Sequence, residues 1–272
     1  MLGFPWYAGP SIHTYPRYHE ITHYFGRLQE RCEWLNYVGE KYGPEAQKSA
    51  LVDLPALNRD GQYPESEITL EDDVLFEFGQ NNQGDLSLVG LARELIVESA
   101  LQWGADWLLM WDNDMMMDWD FMLKLWRHQK PVVAALAFAS REPCVPVIYK
   151  IQERNGVDGV QYHSQQVLDF PRDRLISSKD IGGKLAFGTG VVLINMSVFK
   201  QLPKPWFYST MCGEDFMFCV NCHQNGIPLY VDTSTKTHHP ARNPIWMNES
   251  YYDETRKAHP ERYEKYKVDN VS

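Results

Sequence analysis

The sequence predicts an α/β fold with an open sheet flanked by helices, and three stretches of the chain carry this prediction. Apolar residues recur with helical spacing over residues 88–100, and two uninterrupted apolar runs follow at 107–111 and 131–138. Uninterrupted apolar runs are typical of strands buried on both faces. The alternation of helix and strand therefore favours a mixed, mostly parallel central sheet, in which ligands bind beyond the carboxyl ends of the strands.

The first 84 residues contain few periodic stretches. Residues 2–7 are compatible with a short first strand, and residues 21–35 have a helix-like spacing of apolar residues. Residues 43–71 are polar, carry three prolines and are predicted to form a loop. Residues 74–78 are predicted to be a strand that ends in the turn-forming run 79–84.

The clearest pattern surrounds the first apolar run. Asp85 or Ser87 can cap a helix that ends at Gln102, and Gly104 supplies the stop after it. A second helix, over residues 118–129, is predicted to separate the two apolar runs. The face of the first helix that is expected to pack on the sheet consists of Leu88, Leu91, Ala92, Leu95, Ile96, Ser99 and Ala100.

The second half of the chain continues the alternation. Residues 140–186 are more polar and are expected to form a small β excursion, after which 191–196 is a buried strand. A helix is predicted over 213–226, ended by its glycine, and a short strand over 228–231. The chain from Asn248 onwards is charged, rich in tyrosine and predicted to be helical.

Length, charge and cysteine content limit the class of protein. The 272 residues suffice for one large domain, assigned to residues 1–245, with a helical tail, 246–272, packed on it. The net charge of −10 disfavours nucleic acid as a partner. There is no apolar run of ~18 residues that would span a bilayer, and no signal-peptide pattern. Five cysteines without framework spacing favour reduced thiols and a cytoplasmic location, in the host cytoplasm if the protein is viral.

An acidic pair, Asp112 and Asp114, follows the first apolar run directly, with Asn113 between them. Two carboxylates at the end of a buried strand point into the same small volume beyond the sheet, where Mn²⁺ or Mg²⁺ would find the oxygen ligands it prefers. Such a metal ion can neutralise charge on a departing diphosphate. Two acids separated by one residue are also common in loops, so the position after a buried strand is what favours the metal site.

Two further motifs contain glycine. Gly213-Glu214-Asp215 begins a predicted helix, where carboxylates are expected as caps, but one of them is also suited to act as a general base. The run Gly188-Thr189-Gly190 precedes a buried strand. It is compatible with an ordinary turn or with main chain that packs closely under a ligand.

Histidines and cysteines complete the candidate residues. His238 and His239 follow the strand predicted at 228–231, and a neutral imidazole there could complete a metal site begun by Asp114. Neighbouring residues of an extended chain point in opposite directions, so only one of the two is expected to face the metal. The pattern Cys219-Val220-Asn221-Cys222-His223 matches a haem-attachment motif. It lies within an amphipathic helix, so buried thiols are the preferred interpretation.

Together these features resemble the GT-A fold glycosyltransferases, in particular the family-2-like group of bacteria, phages and large viruses. The matching residues lie within 91–239, somewhat over half of the chain. They are Arg93 in the first helix, the strand and acidic loop of 107–114, the run 187–194, Gly213-Glu214-Asp215 and the histidine pair.

The resemblance implies a role for each matching residue. Asp114, with Asp112, would hold Mn²⁺ or Mg²⁺ on the diphosphate of a nucleotide-sugar donor, with a UDP-sugar favoured. One histidine, His239 in preference to His238, would be a further ligand of the metal. In the family's arrangement the base pocket includes the first strand, here around residues 4–7.

The same resemblance assigns the remaining residues. Arg93 would lie near the nucleotide or its diphosphate, and Gly188, Thr189 and Gly190 would lie behind the donor sugar. Asp215 would be the catalytic base, and Glu214 would contact the donor or the acceptor.

The function that follows from these roles is metal-dependent transfer of a sugar from a nucleoside-diphosphate-sugar to an acceptor hydroxyl, with inversion at the anomeric carbon. Two alternatives use the same residues: a nucleotidyltransferase, which would release pyrophosphate, and an inactive module that binds nucleotide-sugars. The acceptor is left open between a glycan, another hydroxyl-bearing molecule and a modified base in viral DNA. The acidity of the chain favours a glycan or a small acceptor.

Overall fold

The structure is a computed structural model that describes residues 2–3, 37, 40–41, 80–81, 89–112, 115–117, 121–156, 159–208, 212–240 and 246–267. The chain falls into two compact units, one made of Met1–Ile12 with Gly79–Ser272 and the other of His13–Phe78. The domain boundary at residue 245 stays a prediction. No helix among the described residues is both long enough and apolar enough to cross a lipid bilayer.

The strands of the described residues form a large central sheet and a small second sheet. They are β1 (Leu2–Gly3), β2 (Gln80–Asn81), β3 (Trp107–Trp111), β4 (Met116–Met117), β5 (Val132–Leu136), β6 (Ile148–Gly156), β7 (Gly159–Gln166), β8 (Leu175–Ser177), β9 (Leu185–Phe187), β10 (Val191–Asn195), β11 (Leu229–Pro240) and β12 (Trp246–Met247).

Helices flank these strands. Those of the described residues are α1 (Val89–Trp103), α2 (Phe121–Trp126), α3 (Ser178–Ile181), α4 (Ser197–Gln201), α5 (Glu214–Gln224), α6 (Glu249–Ala258), a 3-10 turn at Pro260–Tyr263 and α7 (Glu264–Lys267).

The central sheet is mixed and mostly parallel, as predicted. Its strands lie in the order β12-β11-β5-β10-β3-β1-β2, with β4 and β8 also paired to β11. Strands β1, β2, β3, β5 and β11 run in one direction, and β10 runs against its neighbours β3 and β5. The carboxyl ends of β3 and β5 therefore lie at the same edge of the sheet as the start of β10.

The two apolar runs form the centre of the core. All five residues of β5 are buried, as are Leu108, Leu109, Met110 and Trp111 of β3. This burial on both faces confirms the interpretation of uninterrupted apolar runs as interior strands. The predicted bounds of 131–138 were longer than β5 by one residue at the start and two at the end.

The small β excursion is also confirmed. Strands β6 and β7 form a hairpin, and β9 pairs antiparallel with β6 to give a sheet in the order β7-β6-β9. The helical tail is confirmed as well, beginning at its cap Asn248, whose side chain accepts a hydrogen bond from the backbone N–H of Tyr251. Tyr252 and Tyr263 of this tail are fully buried, which fixes it to the rest of the unit.

Some local predictions were wrong. In the predicted turn 79–84, Gln80 and Asn81 instead form β2, which pairs in parallel with β1. In α1 the predicted apolar face is displaced, because Leu91 is 45% exposed whereas Arg93 and Val97 are buried. The second helix ends at Trp126, before Gln129, whose φ of 48° is left-handed.

The largest difference concerns β11. The strand predicted at 228–231 continues to Pro240, so His238 and His239 lie within a strand and not after one. Its polar second half is held by pairing with β4 and β12, which an apolar pattern does not reveal. The expectations for residues 4–7, 21–35, 43–71 and 74–78, for the caps Asp85 and Ser87, and for the start of the second helix at residue 118 lie outside the described residues.

Candidate functional site

The site is at the sheet edge where β3 ends and β10 begins. Trp111 is paired with Val191, and one residue further the backbone N–H of Asp112 donates to the carbonyl of Gly190 at 2.7 Å. A Cβ at Gly190 would lie 3.3 Å from Oδ2 of Asp112. The antiparallel register therefore brings the glycine run and the first acid of the pair into contact, although they are far apart in sequence.

Arg93 lies beneath this edge, on the buried side of α1, and is 2% exposed. Its Nη2 donates to both carboxylate oxygens of Asp112, at 3.1 and 3.2 Å. Its Nε donates to Oε1 of Glu214 at 3.3 Å, and its Nη1 to the carbonyl of Thr189 at 3.3 Å. One guanidinium thus contacts three of the elements that carry predicted site residues.

Asp215 lies in the first turn of α5, after Gly213, whose φ of 87° is accessible mainly to glycine. Oδ1 of Asp215 accepts a hydrogen bond from the N–H of Phe216 at 2.7 Å. A Cβ at Gly188 would be 3.4 Å from Oδ2 of Asp215 and 2.6 Å from Cγ1 of Val147. Gly188 is therefore required for the close packing of the main chain against Val147, beside this carboxylate.

The electrostatic environment of Asp215 is unfavourable to its charged form. Burial, then the neighbouring carboxylates of Glu214 and Asp112, raise its pKa to about 6, against the opposing effects of the Phe216 N–H and Arg93. A carboxyl group with a pKa near 6 is largely ionised at neutral pH and still a stronger base than an ordinary aspartate. That combination suits a general base.

The side chains at this edge are mostly carboxylates. Asp112, Glu214 and Asp215 supply three carboxylates against the single guanidinium of Arg93, so the cluster has an excess of negative charge. Oxygen ligands of this kind suit Mn²⁺ or Mg²⁺. Among the residues that the structure describes, no group of three or more His, Cys, Asp or Glu side chains is arranged to bind a metal ion. Asn113 and Asp114 are outside them.

The two histidines differ in which ring nitrogen carries the proton, because their neighbours differ. His239 Nδ1 lies 2.9 Å from the carbonyl of Phe138, which only accepts, so Nδ1 carries the proton and the lone pair is on Nε2. His238 Nδ1 lies 3.1 Å from Nδ2 of Asn248, whose Oδ1 accepts from the backbone N–H of Tyr251. The amide therefore donates to His238, and in neutral His238 the proton is on Nε2.

The pairing of β11 with β4 connects the histidines with the acidic loop. Met116, four residues after Asp112, is paired with His238, and Met117 with Thr237. The hydroxyl of Thr237 is buried and has no hydrogen-bond partner in the described part of the chain, and the same holds for Thr189. Unsatisfied buried hydroxyls are uncommon. Thr189 is one of the candidate site residues, and Thr237 directly precedes the candidate histidine pair.

Sequence reasoning missed Tyr149 and Thr237. Burial, then the charge of Asp215, raise the pKa of Tyr149 to about 12, while Arg141 lowers it. Tyr149 is therefore within electrostatic reach of the candidate base. It lies in β6, opposite Ala186, and no local motif marks it, because its position depends on the pairing of β6 with β9.

The cysteines of the haem-like pattern are buried thiols, as preferred from the sequence. Cys219 and Cys222 are fully buried in α5, and burial raises the pKa of each thiol. Cys219 Sγ is 3.7 Å from the carbonyl of Phe187, to which it donates. These residues hold α5, and hence Asp215, against β9.

Comparisons with known proteins add little about function. Neither a protein-family model nor a curated protein matches the sequence. A197 from STIV is similar in structure at a TM-score of 0.38 and 16% identity, over 67% of this chain and 81% of that one. Mannose-1-phosphate geranyltransferase from Thermus thermophilus is similar at a TM-score of 0.29 and 14% identity, over 78% and 65%. Likenesses this weak carry no argument about activity.

Proposed function

We propose that this protein is a metal-dependent glycosyltransferase that moves a sugar from a nucleoside-diphosphate-sugar, a UDP-sugar by preference, to an acceptor hydroxyl. The observation that carries the proposal is the cluster at the end of β3, where Arg93 contacts both Asp112 and Glu214 and where Asp215 has a pKa raised to about 6. Asp112, which is suited to hold a metal ion on a diphosphate, and Asp215, which is suited to accept a proton, thus lie at one sheet edge.

The donor half of the site consists of Asp112, Asp114 and a histidine. Mn²⁺ or Mg²⁺ held there would neutralise the charge that develops on the departing diphosphate. Asp112 is at the end of β3, and β4 connects its loop to the histidine pair. His239 is the better ligand of the two because its bond to Phe138 puts the lone pair on Nε2.

The acceptor half consists of Asp215 with the close main chain at Gly188. The acceptor oxygen attacks the anomeric carbon, the bond from that carbon to the diphosphate oxygen breaks, and the hydroxyl proton passes to the carboxylate of Asp215. Attack from the face opposite the leaving group inverts the anomeric centre. A glycan or another hydroxyl-bearing molecule serves as acceptor in this scheme.

The test combines ligand binding with product analysis. Melting temperatures are measured with UDP-, GDP-, ADP- and TDP-sugars, each with and without Mn²⁺, because a ligand of the folded state raises its stability. The proposal expects a rise with one donor that depends on Mn²⁺, followed by release of the nucleoside diphosphate in the presence of an acceptor. Release of pyrophosphate would identify a nucleotidyltransferase, and binding without turnover an inactive module. Either result overturns the proposal.

A further inference from the structure

Arg93 is a cation placed under the site and turned away from solvent. It is 2% exposed, and its partners come from three separate elements. Asp112 follows β3, Thr189 precedes β10, and Glu214 begins α5. The side chain therefore joins the donor half of the site to the acceptor half.

All three nitrogens of the guanidinium are engaged by the protein. Nη2 contacts both oxygens of Asp112, Nε contacts Glu214, and Nη1 contacts the Thr189 carbonyl at 3.3 Å and the sulfur of Met110 at 3.8 Å. A planar, rigid set of donors is suited to fixing several acceptors at once. A donor phosphate that bound to Arg93 would have to replace one of these contacts.

The charge of Arg93 is stable in this position. Burial by itself lowers the pKa of Arg93, but the carboxylates of Asp112, Glu214 and Asp215 outweigh that effect and raise it. In return, the cation favours the charged forms of carboxylates that repel one another. Without it, Asp112 and Glu214 would lose a shared partner as well as charge compensation.

We propose that Arg93 is a positioning residue, which fixes Asp112 and Glu214 in one arrangement from beneath the site and is not itself a ligand of the donor diphosphate. The inference rests on the proposed function for the reaction that it assists. It replaces the role near the diphosphate that family resemblance implies for this arginine. A lysine cannot reproduce it, because a single ammonium cannot span three acceptors with the geometry of a guanidinium.

The first experiment separates positioning from phosphate binding. In Arg93→Lys, kcat is expected to fall about 100-fold, as for misplacement of reacting groups by ~1 Å, whereas the affinity for the nucleoside diphosphate with Mn²⁺ is expected to fall by a smaller factor, because only the metal ligand Asp112 is displaced. In Arg93→Met, the acid limb of the pH–activity profile is also expected to move to higher pH, because Arg93 lowers the pKa of Asp215. Loss of nucleoside diphosphate affinity by about tenfold or more, with kcat and the acid limb unchanged, would overturn the proposal.

The second experiment does not depend on transferase activity. Urea unfolding is measured for Arg93→Met, for Glu214→Gln and for the double variant. Arg93→Met is expected to lower the unfolding midpoint, and adding Glu214→Gln to restore part of the loss, because one unpaired buried charge is removed. Additive effects in this cycle would overturn the proposal even if the protein proves not to be a glycosyltransferase.

Arg172 is the matched control for both experiments. It also donates to two carboxylates, those of Glu249 and Asp253, but lies outside the site and is more exposed than Arg93. Arg172→Met is expected to leave kcat, the acid limb and nucleoside diphosphate affinity unchanged. An equal fall of kcat in Arg93→Lys and Arg172→Met would contradict a positioning role.

Discussion

Two aspartates of the same fold, Asp215 and Asp232, are both shielded from water, but their pKa values are shifted in opposite directions. Asp232 is fully buried in β11 and accepts hydrogen bonds at 2.9 Å from His128 Nε2, the Ser234 N–H and Thr235 Oγ1. Burial opposes its ionisation, but these donors outweigh burial and hold its pKa well below the usual range. Asp215 accepts a hydrogen bond from the N–H of Phe216, which lowers its pKa, but burial and then the carboxylates of Glu214 and Asp112 outweigh this bond and raise the pKa to about 6.

The difference separates a carboxylate that stabilises the fold from one that is suited to chemistry. The donors around Asp232 favour its charge, so the folded state gains free energy from keeping it ionised. The surroundings of Asp215 disfavour its charge, and the fold tolerates this cost at one position. Costs of this kind concentrate at functional sites, where a proton must be accepted and given up near neutral pH.

The largest expected effect is on activity at Asp215. Asp215→Asn keeps the shape and the hydrogen bond from Phe216 but removes the base, so turnover is expected to fall by about 10²–10⁴-fold. Turnover with a saturating donor measures it, and Asp253→Asn on the surface of α6 is the control. In the wild type, activity should fall as pH drops through about 6, because the protonated carboxyl cannot accept the proton. A variant with near-normal turnover would remove Asp215 from the mechanism.

The next effect is on stability at Asp232. Asp232→Asn leaves buried donors without an acceptor, and the free energy of unfolding is expected to fall by about 3 kcal/mol. The folded pKa is depressed, so this contribution is present above the unfolded pKa of about 4 and is lost as pH falls below it. Urea unfolding at pH 7 and at about pH 2 measures both, because most of the contribution is lost only well below the unfolded pKa. The exposed Asp169, bound by Arg256, is the control, where Asp169→Asn should cost below about 1 kcal/mol.

A smaller effect of opposite sign is expected for the stability of the Asp215 variant. The folded pKa of Asp215 lies above its unfolded value, so the group favours folding most at low pH, and this advantage is lost as pH rises through about 6. Asp215→Asn should therefore raise the free energy of unfolding at pH 7 by about 1–2 kcal/mol, a figure reduced for the partial exposure of the side chain. A variant that is less stable than the wild type at pH 7 would contradict the assignment of a disfavoured charge.

The sequence could predict the sheet, and it could predict where along the sheet the candidate residues lie, because each of them is beside a local signal. Asp112 follows an apolar strand, Gly190 precedes another, and Asp215 begins a helix. It could not predict the environment of Arg93, whose partner Glu214 is 121 positions away, because that contact depends on how α1 and α5 pack. For the same reason the sequence did not point to Asp232 as a distinctive residue. One of its donors is His128, just after the end of α2, and the others follow Asp232 in β11, where the strand register is irregular.

The smallest expected effect tests whether Asp232 belongs to the fold alone. His128 donates one of the hydrogen bonds to Asp232 and is itself partly exposed. In His128→Ala the other donors from Ser234 and Thr235 stay in place, so the free energy of unfolding is expected to fall by only about 1 kcal/mol. Turnover should be unchanged, because neither residue contacts Arg93 or Asp215. A loss of turnover larger than the loss of stability explains would mean that the bulge of β11 also positions His238 and His239, and the two aspartates would then belong to one functional region.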